Sequence, residues 1–202
     1  MVAIARVRTE WTGFNGAPGY TNLFFRDFGG AEDPDVTNAV ATLAAERVVT
    51  FWNAIEQYFP NDVTLRVDNI VDVLDDATGT LLESYSTPVN APILGTNTGS
   101  YSAASGGVIG WTTGSIRNGR RIRGRTFLVP LASLVMSTSG RIEPGVVSTI
   151  QTAASALADN TQTPDLGVWA RPTASGASDG QWAVCSGARV TDLPAVLRSR
   201  RD

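Results

Sequence analysis

DVTNAVATLAAERVVTFWNAIEQYFP, residues 35–60, is the stretch on which the fold turns. Val36, Val40, Leu43, Ala44, Val48, Phe51, Trp52, Ile55 and Phe59 recur at steps of three and four. That spacing gathers side chains on one face of an α-helix. The predicted helix runs over 36–59. Asp35 stands where a cap accepts hydrogen bonds from the first free N–H groups, and its charge suits the helix dipole. Pro60 ends the helix, because proline has no N–H to donate. A stripe this wide and aromatic needs a broad partner, and the face of a β-sheet supplies one. Its large aromatics read as core rather than as a ligand box.

Strands flank the helix on both sides. Val2–Glu10 alternates, with Ala5 and Val7 on one face and Ile4, Arg6 and Arg8 on the other. Residues 63–74 alternate again: Val63, Leu65, Val67, Val71 and Val73 against Thr64, Arg66, Asp68 and Asp72, with Ile70 and Leu74 on this second face. DDATGT (75–80) is a turn and LLESYS (81–86) returns, which makes a β-hairpin. WTGFNGAPGYTN (11–22) interleaves three glycines and a proline with Trp11, Phe14 and Tyr20. It reads as a loop with aromatic anchors before a short strand at 23–25. Its glycine spacing is no nucleotide fingerprint, because no helix opens behind it. A second helix is predicted over 143–160, with Val146, Val147, Ile150, Ala154 and Leu157 as its apolar stripe. Residues 165–172 and 181–190 read as a closing hairpin in which Cys185 is a packing residue.

The order is strand, helix, hairpin, long loop, strand, helix, hairpin. That predicts an α+β fold over a single domain, 1–202: an antiparallel sheet with two helices packed on it and long Gly/Ser-rich loops. Residues 88–115 are rich in glycine, serine, threonine and asparagine. They read as a mobile loop or an arm lying on a neighbour, interrupted by a short strand around Val108–Thr112. Residues 194–202 form a basic tail.

Composition removes several functions. The chain has no His, and all sixteen of its basic residues are Arg. The commonest general base is therefore missing, as are the lysines of Schiff-base and P-loop chemistry. Usual zinc sites need more than the single Cys185, which also excludes an internal disulfide. The cluster of Asp68, Asp72, Asp75, Asp76 and Glu83 matches neither a catalytic carboxylate pair nor a calcium loop. No catalytic residue, metal or cofactor is expected. No apolar run is long enough to cross a membrane as a helix. The first residues lack the layout of a signal peptide, so synthesis in the cytoplasm is expected.

Net charge is only −3, but its distribution is uneven. Residues 27–83 hold twelve acids against Arg47 and Arg66, a balance of −10. Residues 84–142 hold six arginines and no acid. The split can be neutralised within the fold, or one copy's acidic segment can attract another copy's basic segment.

The basic segment centres on RNGRRIRGRTFLVP (117–130), where Arg117, Arg120, Arg121, Arg123 and Arg125 fall within nine positions. Read as one strand, Arg121, Arg123 and Arg125 share a side, about 7 Å apart. The strand then turns apolar through Phe127 and Val129 and stops at Pro130. Arginine forks suit carboxylates on a neighbouring subunit or phosphates, and solvent alone also satisfies them. Arg198, Arg200 and Arg201 add a second basic group in the tail. Trp11, Phe14, Tyr20 and Trp111 offer surfaces on which bases stack. The net negative charge and the lack of a nucleic-acid-binding motif count against a dedicated polybasic arm.

WTGFNGAPGYTN, GRRIRGRTFLVP and the terminal LRSRRD resemble segments of small virion proteins of phages and uncultured viruses, over about a quarter of the chain. The resemblance names no specific family. It implies a coat protein or another head or tail component, located in the virion, whose partners are copies of itself and packaged nucleic acid. The arginine strand would then face a subunit contact or the genome. The chain departs from many coat proteins in having no basic N-terminal arm and no evident jelly-roll pattern. A single-stranded nucleic-acid-binding module is the alternative.

Overall fold

β1 (Ala3–Thr12) and β3 (Thr64–Asp75) pair antiparallel along nearly their whole lengths and form the spine of a five-stranded sheet. β2 (Gly19–Arg26) pairs with the other edge of β1. β4 (Leu81–Ser86) and β5 (Pro92–Leu94) share the far edge of β3, so the main path is β2-β1-β3-β4. This computed structural model describes residues 3–12, 19–26, 37–75, 78–89, 91–99, 107–112, 114–117, 120–123, 129–132, 142–161, 167–172 and 183–186.

Alternation decides which face of the sheet is buried. Ala5, Val7, Thr9 and Trp11 on β1 and Leu65, Val67, Val71 and Val73 on β3 all point inward. Between Val7 and Thr9 the register against β3 slips from Val71 to Val67. β3 thus carries two extra residues opposite Arg8. An even insertion leaves every inward residue inward. The bulge is held locally: the Asp68 carboxylate accepts from the Ile70 N–H at 3.0 Å, and the Asn69 carbonyl accepts from the Thr87 N–H at 2.7 Å. It lies where β3 exchanges β5 for β4 as its edge partner.

α1 (Asn38–Ile55) covers the inward face and passes into a 3₁₀ turn at Glu56–Tyr58. The helix starts two residues later than its periodicity suggests. Its cap is Thr37, whose Oγ1 accepts from the Val40 N–H at 3.4 Å, rather than Asp35, which lies outside the described residues. The buried stripe is rotated from the expected one. Ala41 and Ala45 are fully buried, whereas Leu43 is exposed. At about 100° per residue, Leu43 falls opposite the line through Ala41, Val48 and Trp52. Alanines let the first half of the helix lie close to its neighbours, and Phe51, Trp52, Ile55 and Phe59 fill the wider second half. Phe51 and Trp52 meet edge to face, with centroids 4.9 Å apart.

α2 (Pro144–Thr161) packs on α1 and on a second antiparallel sheet, ordered β11-β10-β6-β9. These strands are β6 (Gly107–Thr112), β9 (Val129–Leu131), β10 (Gly167–Pro172) and β11 (Ala183–Ser186). A separate hairpin joins β7 (Gly114–Arg117) to β8 (Arg120–Arg123). The fold is α+β with two helices as expected, but among the described residues its strands divide among three sheets rather than one. Val146, Ile150, Ala154 and Leu157 of α2 and Ile109 and Leu131 of the second sheet join one core with the first sheet. The Ala132 N–H donates to the Tyr58 carbonyl at 2.9 Å and ties the end of β9 to the end of α1.

Three expectations are corrected. Strands take both ends of 11–22: β1 runs to Thr12 and β2 begins at Gly19, with Trp11 opposite Gly19, and residues 13–18 lie outside the described residues. Residues 88–115 carry, besides β6 at the place of the expected strand around Val108–Thr112, also β5 and the start of β7, and Ile93 is buried in the core. Residues 120–129 are not one strand. β8 ends at Arg123, and β9 belongs to the second sheet. Pro130 lies inside β9 opposite Val108, a place open to proline because β9 is an edge strand.

Candidate assembly edges and the arginine hairpin

The outward face of the first sheet is polar and mixed in sign. Register places Arg6 opposite Asp72 and Asp72 opposite Ser84, three strands in one row. The Arg6 guanidinium donates to one oxygen of the Asp72 carboxylate. The Ser84 hydroxyl donates to the other at 2.6 Å. Burial alone would raise the Asp72 pKa; the Ser84 hydrogen bond and the Arg6 cation outweigh it and hold the carboxyl below its ordinary value. Arg8 lies 2.7 Å from Glu10, and its guanidinium stacks 4.4 Å above the Tyr20 ring.

Much of the acidic segment is therefore engaged within the chain. Asp72 holds Arg6, Asp68 closes the bulge, Asp75 accepts from the Thr78 N–H at 2.8 Å, and Glu83 accepts from the Tyr85 hydroxyl at 2.7 Å. Among the described residues no group of carboxylates is arranged to hold a metal ion.

The arginines are placed differently from the expected ladder. The β7–β8 register puts Arg117 opposite Arg120 and Ile116 opposite Arg121. Like charges directly opposite one another destabilise a strand pair, and a two-stranded hairpin is marginal by itself. Among the described residues this hairpin pairs with neither larger sheet, and its two strands contain no acid. The Asn-Gly pair at 118–119 is a sequence signal for such a turn that the strand reading passed over. Arg125, Arg198, Arg200 and Arg201 lie outside the described residues.

Trp11 and Tyr20 lie on opposite faces of the first sheet. Trp11 is only 8% exposed and belongs to the core. A Cβ on Gly19 would overlap its indole, so the small residue opposite it is required. Tyr20 is 43% exposed and stacks with Arg8. Trp111 sits in β6 opposite Val168, and Phe14 lies outside the described residues.

The edges of the first sheet were not singled out by sequence reasoning. β4 pairs with β3 on one side, and among the described residues its other side has no strand. Leu81 and Leu82 on this edge are 54% and 47% exposed, and Leu94 of β5, on the same side of β3, is 56% exposed. LLESYS contains neither proline nor a basic residue, the usual guards of a free edge. At the opposite edge β2 is likewise without a second partner among the described residues.

An open groove of about 530 Å³ runs between α1 and α2 past Arg47, Ala54, Ala153 and Ala156. Three of the hydroxyls along it, on Thr50, Thr149 and Thr152, each donate to a carbonyl one turn back in their own helix. Those three are spent on the helices. No described helix is long and apolar enough to cross a membrane.

No protein-family profile matches this chain, and neither a curated protein nor a solved structure does.

Proposed function

We propose that this chain is a self-assembling structural protein of a virus particle, a coat protein whose partners are copies of itself. The observation that carries the reading is the open β4 edge with its exposed Leu81 and Leu82. Unpaired backbone groups beside exposed leucines form a template for another strand. Covering two half-exposed leucines adds on the order of 2–3 kcal/mol to an association. The resemblance of the 11–22, 119–130 and 197–202 segments to virion proteins sets the kind of assembly. Chemistry is not part of the proposal.

Light scattering on nuclease-treated protein, with negative-stain images and the absorbance ratio at 260 and 280 nm, tests it. A large regular particle is the expected result. A monodisperse monomer at every concentration overturns the reading.

One observation favours a second role, single-stranded nucleic-acid binding. Arg117 and Arg120 face each other across a hairpin that holds four arginines and no acid. A coat protein that contacts its genome satisfies both readings. Binding without assembly would leave the second one alone.

A further inference from the structure

We infer that the groove between α1 and α2 binds a small amphiphilic anion, a single carboxylate on an unbranched apolar chain. The groove lies within one chain, so the inference does not rest on self-assembly.

Size separates a small molecule from a protein partner. The groove holds about 530 Å³, inside the range of about 300–1,000 Å³ common to small-molecule sites. α1 lines it from Arg47 to Ala54, about 11 Å of helix axis, and α2 from Ser148 to Leu157, about 14 Å. A stable protein partner covers about 20–30 residues a side, far more than these short stretches supply. With C–C bonds of about 1.5 Å, an extended chain of about ten carbons matches the length of the groove.

The lining separates an amphiphile from a bare ion or a sugar. Phe51, Ala54, Ala153 and Leu157 present carbon to the groove. A sugar laid against them would leave hydroxyls unpaired, at a cost in affinity. The Thr50, Thr149 and Thr152 hydroxyls already donate to their own helices. Arg47 and Ser148 are the polar side chains left for a ligand among the described residues. That suits one head group on an apolar body, the pattern of a few polar groups in an apolar site.

Charge sets the sign of the head group. Arg47 is half-buried, and among the described residues it makes no ion pair. The positions one turn away on α1 are Leu43, Ala44, Thr50 and Phe51, so no acid of its own helix is placed to pair with it. No acid stands among the described residues that line the groove. A guanidinium beside an apolar groove favours a carboxylate, which its fork can hold with two N–H bonds.

The test is isothermal titration calorimetry of the full chain with three probes: decanoate, decanol and inorganic phosphate, the first two below the concentrations at which they aggregate. Decanoate is expected to bind at one site per chain, decanol about tenfold more weakly or worse, and phosphate not measurably. Arg47→Gln is expected to weaken decanoate by about tenfold or more and to leave decanol unchanged. Ala54→Phe and Ala156→Phe each add a ring at an exposed helix position on the groove and are expected to abolish binding of both. Circular dichroism and urea midpoints confirm that the variants stay folded. A wild-type chain that binds no decanoate overturns the inference. Equal affinity for decanol and decanoate, or an Arg47→Gln variant that keeps full affinity for decanoate, overturns the anionic head group. Phosphate binding as tight as decanoate binding overturns the apolar body. Undiminished decanoate binding by both phenylalanine variants places the ligand elsewhere and overturns the groove as its site.

Discussion

The indole Nε1 of Trp52 donates a 3.2 Å hydrogen bond to the Thr9 hydroxyl in a place where neither residue is reached by solvent. This bond pins the last turn of α1 to β1 beside the β3 bulge, and so fixes helix against sheet. Thr9→Val keeps the volume but leaves a buried N–H without that acceptor, at a cost of about 1–3 kcal/mol. For a chain of this length each kcal/mol lowers Tm by about 2–4 °C. Trp52→Phe removes both the donor and part of the ring packed against Phe51 and Phe59, and is expected to cost more. A double-mutant cycle read by denaturant unfolding checks the coupling; additive losses would mean that the bond contributes nothing.

Gly95 governs the return of the chain beneath α1. Its N–H donates to the Val63 carbonyl at 2.9 Å, and a Cβ there would overlap the carbonyl oxygens of Pro60 and Phe59. The obstacle is backbone, which cannot swing aside as a side chain does. Two residues on, the Asn97 N–H donates to the Phe59 carbonyl at 3.0 Å, so the loop has little room to retreat. Gly95→Ala is expected to destabilise the protein by about 1–3 kcal/mol, the usual range for overpacking. Gly145→Ala, where an added Cβ meets nothing, is the matched control with little effect. Equal midpoints in urea for the two variants would contradict this account.

What could be read from the sequence follows where the physics is local. The two helices, the α2 stripe, the β3–β4 hairpin and the pairing of β10 with β11 rest on periodicity and turn residues, and these elements stand close to where the patterns place them. The rotation of the α1 stripe was missed because Ala41 and Ala45 carry a weak hydrophobic signal beside Leu43, although their size is what lets the helix approach. The β3 bulge was invisible because two inserted residues preserve alternation. The division of 120–131 between two sheets depends on which distant strand claims β9, and Ile122 and Val129 look alike on that question. That β4 has no second strand beside it among the described residues is a statement about distant neighbours, which no local pattern carries.

Asp72 gives an acid-side signature. Its carboxyl titrates below the ordinary aspartate value of about 3.9 because Ser84 and Arg6 favour the charged form more than burial disfavours it. The unfolded chain therefore binds this proton at higher pH than the folded one. The stabilisation is complete above the unfolded value and is lost as pH falls through the folded one, so its window lies below about pH 4. Asp72→Asn is expected to be less stable than the wild type at neutral pH, with the gap closing on acidification. Parallel stability curves for the two proteins between pH 6 and pH 2 would contradict the assignment.

The β7–β8 hairpin yields the final prediction. Four arginines sit on strands that otherwise hold only Gly114, Ser115, Ile116 and Ile122, and one cross-strand pair is Arg117 with Arg120. If all four neutralise phosphates of a single strand, the logarithm of the binding constant falls with the logarithm of salt at a slope of about −3. Removing one arginine pair flattens that slope by about 1.4 and weakens binding uniformly across sequences. Arg117→Ala/Arg120→Ala and Arg121→Ala/Arg123→Ala, titrated with labelled oligothymidylate by fluorescence anisotropy, measure this. Because Arg117→Ala/Arg120→Ala also removes the like-charge pair, it is expected to raise the stability of the free protein while it lowers affinity. A variant that loses affinity and stability together would show that these two arginines hold the fold rather than a phosphate backbone. If neither pair changes the salt slope, the hairpin's partner is a carboxylate surface, and the Arg121→Glu/Arg123→Glu variant should then lose assembly while remaining a folded monomer.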